Sequence, residues 1–146
     1  MIVFHDDAFE RDYEEGNHQT ISIRLPGTEE VGSYSGKQIW DVIKKDVAEG
    51  KYHTILVGGC GSGIKDRNGV SFLSALSRAA GSEIYIKGTD ALVGGYGTHE
   101  LFPADALWTK GELKAVRIPG AQFDIYQDGK QIFDGLDQLP YIGEGR

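Results

Sequence analysis

A chain of 146 residues, 40% apolar and 25% charged, suits one globular domain with a core of its own, expected to span residues 1–146. The formal net charge of −7, with no cluster of Lys and Arg, sets a field that repels a phosphate backbone and argues against nucleic acid as a partner. No apolar run approaches the roughly 20 residues of a membrane helix, and "MIVFHDDAFERDYEEG" turns acidic too early for a signal peptide, so neither a membrane nor Sec export is expected.

Along the chain, Met1–Phe4 reads as a short buried strand and Thr20–Leu25 as a second, with Ile21 and Ile23 alternating before "PGTEEVG" breaks it. Between them, Asp6 or Asp7 caps a short helix with Phe9 and Tyr13 on one face and Gly16 as its stop. Ser35 is the expected N-cap of a helix over Gly36–Glu49, in which Ile39, Trp40, Ile43 and Val47 recur at helical steps and Gly50 follows. "HTILVGG" is the clearest strand, a nearly unbroken aliphatic run of the kind covered on both faces of a parallel sheet, which predicts a central position. "GVSFLSALSRAAG" is an amphipathic helix stopped by Gly81, and "SEIYIKG" the next strand, so strand, helix and strand form a crossover unit. Further on, "LWTKGELKAVRI" and "FDIYQDGKQIF" place alternating apolar residues around Lys-Gly and Asp-Gly turns, two hairpin signals. No internal repeat or low-complexity segment appears. The expected architecture is an α/β fold: a three-layer α/β/α sandwich with a mostly parallel central sheet and a C-terminal β-hairpin extension.

Glycine is the unusual component, with 21 residues where a usual share of ~7% gives about half as many. It gathers at 58–63 and in "GGYG" at 94–97, two loops expected to converge. The first surrounds Cys60, the only cysteine, which excludes an internal disulfide and fits both a reducing cytoplasm and an effector exported without a leader. Ligands of open α/β sheets sit at the carboxyl ends of strands, which favours Cys60, His5 and, in a later loop, His99, and discounts His18 and His53 at the opposite edge. The loop is not a P-loop, because Ile64 separates Gly63 from Lys65 and Asp66 stands where a hydroxyl is needed. Nor is it a dinucleotide fingerprint, since Gly59, Gly61 and Gly63 are spaced two and two. An anion on the Gly61–Gly63 amides remains allowed.

Two readings of Cys60 stay open. A thiolate set among backbone N–H donors from Gly59, Gly61, Ser62 and Gly63 has the makings of a nucleophile with an oxyanion site, with Asp66 and Asp90 near the pocket. Alternatively, Cys60 is a small apolar filler at a strand end. The carboxylates Asp6, Asp7, Glu14 and Glu15 read as a solvated helix face, and Trp40 and Phe72 as packing. No spacing suggests a metal site, and no cofactor is expected.

Taken together, "VGSYSGKQIWDVIKK", "KYHTILVGGCGSG" and "VSFLSALSRAAGSEIYIKG" resemble the caspase-like cysteine peptidases, especially the bacterial branch found as self-processing or effector domains of large secreted toxins. The resemblance covers roughly residues 20–135. It implies a catalytic Cys at Cys60 and a peptide or protein as partner, with short C-terminal strands around a "DG" turn like that in "YQDGKQIF". It also implies a His-Gly at the end of the preceding strand, where this chain reads "IRLPGTEE", with Pro26 in place of the histidine. The dyad is therefore either rebuilt with His5 or His99, or lost, leaving an inactive caspase-like module that binds another protein.

Overall fold

The computed structural model describes residues 20–23, 29, 32–59, 61–95 and 100–136. Strand β1 (Thr20–Ile23) pairs antiparallel with β2 (Gly32–Ser35), with Thr20 opposite Ser35. Ser35 then begins α1 (Gly36–Glu49) with the expected cap and a full capping box: the Gln38 N–H donates to Ser35 Oγ at 3.3 Å, and the Ser35 N–H donates to Gln38 Oε1 at 2.8 Å. Gly50 closes the helix through its N–H to the Asp46 carbonyl. After β3 (Thr54–Leu56), α2 (Phe72–Ala80) repeats the device, with Ser71 and Ser74 exchanging hydrogen bonds at 3.1 and 2.9 Å, and Gly81 ends it at φ 86°.

The remaining chain is strand: β4 (Tyr85–Gly88), β5 (Leu92–Gly94), β6 (Phe102–Thr109), β7 (Glu112–Arg117), β8 (Asp124–Gln127) and β9 (Lys130–Phe133). Both predicted hairpins are present. Their central residues, Lys110-Gly111 and Asp128-Gly129, have φ of 52° and 78° and of 51° and 80°, the double positive φ that matches a two-residue turn to strand twist. The crossover unit is present too, since β3 and β4 pair in parallel across α2.

The way these strands assemble corrects the sequence expectation. The main sheet runs β3-β4-β8-β9, with one parallel pair and two antiparallel ones, so it is mostly antiparallel. The C-terminal hairpin is not an extension. Its strand β8 completes the sheet on the open edge of β4, where unpaired N–H and C=O groups would otherwise be left. β3, expected at the centre, lies at the end of this order. A separate sheet, β5-β6-β7, branches off between β4 and β8.

Burial follows the pairing register. Ile55, Ile86 and Tyr126 face one another across β3, β4 and β8 and are 2% exposed or less, whereas Thr54 and Tyr85, one residue earlier, are exposed. The buried row joins Phe72, Leu73 and Leu76 of α2 and Ile39 and Val47 of α1 in one core. Among the described residues the helices therefore cover one face of the sheet, not two. Gly36 sets how closely they approach: a Cβ there would run into the backbone of Ala75 and Leu76.

Candidate functional site

The parallel pair β3–β4 has one carboxyl edge, and the chain leaving each strand there is tied to the other. Val57 extends the ladder through its N–H to the Lys87 carbonyl at 2.8 Å. Gly61 then donates to Ala91 at 2.8 Å, and Gly63 to Thr89 at 2.9 Å. The glycines are needed for this approach. A Cβ on Gly63 would stand 2.9 Å from the Asp90 nitrogen, and Gly61 has φ 65°, where side chains are strained. The Ser62 N–H turns back to Gly59, the Ile64 N–H to Gly61, and the Ser62 carbonyl accepts from Leu73 at the start of α2.

This bonding reassigns the glycine loop. The amides of Gly61 and Gly63 are engaged with the β4 loop and that of Ser62 with Gly59, so these three of the expected oxyanion donors are already taken. Cys60, His5 and His99 lie outside the described residues. Ser62 is fully buried, and its hydroxyl has no hydrogen-bond partner among the described residues. Asp66 serves the turn that leads to α2: Oδ1 accepts from Asn68 at 2.8 Å and from Val70 at 2.9 Å, while its own N–H donates to Val70. His53 is exposed just before β3, at the opposite edge, as the sequence placed it.

Asp90 is the expected pocket residue that faces open space. It stands between two clefts. One, of about 230 Å³, runs beside Gly61 and Ala91 towards Ala104 and Ala106 on β6. The other, of about 310 Å³, is walled by Gly63, Lys65 and Tyr126 and holds two further carboxyl groups, Asp124 and Asp134.

Asp124 is the residue that reading the sequence missed. It opens β8 opposite Gly88, whose lack of a side chain leaves room beside Leu73, and it is only 3% exposed. Burial is the main cause that pushes its pKa up to about 7, and the charges of Asp90 and Asp134 add to the rise. The N–H of Gly135, donating to Oδ1 at 2.8 Å, works in the opposite direction. Tyr126, two residues on and on the same face, has its phenol pushed up to about 12, first by burial and then by Asp124. The period-two spacing of Asp124 and Tyr126 was the available signal: an apolar face that includes Tyr126 carries Asp124 inward with it.

Among the described residues no group of three His, Cys, Asp or Glu is arranged to hold a metal ion, and no helix is long and apolar enough to cross a membrane. Compared with protein-family models, curated proteins and solved structures, the chain matches none.

Proposed function

We propose that the chain is a caspase-like cysteine peptidase domain of the bacterial effector type, with Cys60 as its nucleophile. One observation carries this reading: the Gly59–Gly63 loop leaves the carboxyl end of β3 and is fastened to the carboxyl end of parallel β4, the edge at which open α/β sheets take their ligands. The Cys60 thiolate attacks a peptide carbonyl, and the backbone amides of Gly59 and Cys60 receive the oxyanion. His5 or His99 takes the thiol proton and returns it to the leaving amine as the C–N bond breaks, and water then hydrolyses the thioester.

A second reading is favoured by two observations, the engaged amides of Gly61 and Gly63 and the proline at position 26. In it the domain keeps the fold without the activity and binds a protein segment at the same edge.

The sole thiol separates the two. Its alkylation rate followed against pH is expected to show a midpoint at least about one unit below the reference thiol value of ~8.5, and to lose that shift in His5→Ala or His99→Ala. A midpoint at or above the reference, or a thiol that reacts only after unfolding, overturns the peptidase and leaves the binding module.

A further inference from the structure

The helix layer carries two adjoining clefts in the seam between α1 and α2, of about 600 Å³ and about 650 Å³. Trp40, half-buried, lines both and joins them into one groove, with Ala75 and Ala79 of α2 as apolar floor. Exposed cations line it: Lys37 and Arg78 at the first cleft, Lys44 and Lys51 at the second. Asp41 and Glu83 are the anions among the lining residues, and Asp41 is paired with Lys44 at 3.5 Å. Lys37, Lys51 and Arg78 make no ion pair among the described residues.

A basic groove calls for an acidic occupant, and this chain contains one. Residues 1–19, outside the described residues, hold six acidic side chains and one Arg, a charge of −5, so only −2 of the net −7 belongs to the rest of the chain. The stretch is tethered at the right place. It ends where Thr20 begins β1, opposite Ser35, the N-cap of α1, one end of the groove. Its length suits as well. With 14 residues α1 is about 21 Å long, and the helix that the sequence predicts over residues 6–16 would be about 16 Å. Phe9 and Tyr13, four residues apart, give that helix an apolar face.

We propose that residues 6–15 of this chain dock in the α1–α2 groove, with their carboxylates on Lys37, Lys44, Lys51 and Arg78 and with Phe9 and Tyr13 against Trp40. The tether makes the contact intramolecular, at an effective concentration of roughly millimolar, so a separate acidic segment binds there only by displacing it. The docking holds whether or not Cys60 is a nucleophile.

The test couples carboxylates to lysines in the full chain with a zero-length carbodiimide at low salt, and maps the products of the monomer fraction by mass. Coupling of residues 6–15 to Lys37, Lys44 and Lys51 is expected to exceed coupling to the exposed Lys110 and Lys114 of the β6–β7 hairpin at least about fivefold. The double variant Phe9→Ser, Tyr13→Ser keeps every charge and is expected to lower that preference about threefold, which attraction between charges alone would not do. Coupling spread evenly over the exposed lysines, coupling confined to a dimer fraction, or a preference unchanged in the double variant overturns the docking. The first measurement needs no variant, and none involves the thiol, so failure here is distinct from failure of the peptidase reading.

Discussion

Gly36→Ala is expected to destabilise the protein by about 3 kcal/mol, the upper part of the range for overpacking a rigid site. The added methyl meets backbone on α2, at Ala75 and Leu76, not the end of a side chain that can swing away. Relief requires sliding α1 against α2 and disturbing the contacts of Ile39, Phe72 and Leu76, all fully buried. The better helix propensity of alanine offsets less than about 1 kcal/mol of this. Urea unfolding measures the change, with Lys37→Ala, on an exposed neighbouring position, expected to stay within about 0.5 kcal/mol of wild type. A Gly36 variant as stable as wild type would mean that the helices do not approach as closely as described.

The second large effect has the opposite sign. Asp124 carries a pKa of about 7 in the fold against 3.8 for the free side chain. The unfolded chain therefore gives up this proton near pH 4, while the folded chain keeps it to near neutrality. Stability falls as pH rises through that window and levels off above it. Asp124→Asn removes the titration. The two proteins should be about equally stable near pH 4, and at pH 8 the variant should be the more stable by about 2 kcal/mol, a value below the full conversion because the cleft is open to solvent on one side. Urea unfolding at the two pH values measures it. A variant less stable than wild type at pH 8 would show that the bond from Gly135 outweighs burial and that the Asp124 pKa is not raised.

The elements of this fold were legible wherever their signals are local. Ser35 with Gly50 announces α1, and Gly81 the end of α2, because orphaned backbone groups at helix ends need those residue types nearby in the chain; the Ser71 cap of α2 was not picked out. Lys110-Gly111 and Asp128-Gly129 announce both hairpins for a similar reason, since only a few residues tolerate two consecutive positive φ values. The order of strands in the sheet was not legible. The apolar run at β3 suggested two covered faces, yet Ile55 and Val57 point into the core while Thr54 is exposed, and a strand of three residues is too short for alternation to stand out. That β8 joins β4 depends on Ile86 and Tyr126 sharing a face, a partnership between positions forty residues apart that nothing local encodes.

The site was legible in part for the same reason. Asp90 lines both clefts, because any residue just after a parallel strand arrives at the carboxyl edge. Asp66 stands at a similar position in the chain but is taken up by its own turn, as short acidic side chains before glycine commonly are. Asp124 and Asp134 reach the cleft only through the long-range pairing of β8, and so could not be grouped with Asp90 in advance.

Residues 89–123 leave the main sheet and return to it on a single rung, because Gly88 and Asp124 are direct partners across β4 and β8. Beyond Thr89 and Ala91, whose carbonyls hold the glycine loop, an excursion with coincident ends can change in length or be exchanged without moving its flanking strands, since each doubling of a loop adds only about 0.6 kcal/mol of closure entropy. The β5–β7 sheet is thus the stretch of this chain freest to diverge in descent. New versions of it would redraw the Ala104–Ala106 wall of one cleft, while β4, β8 and the glycine loop kept their places.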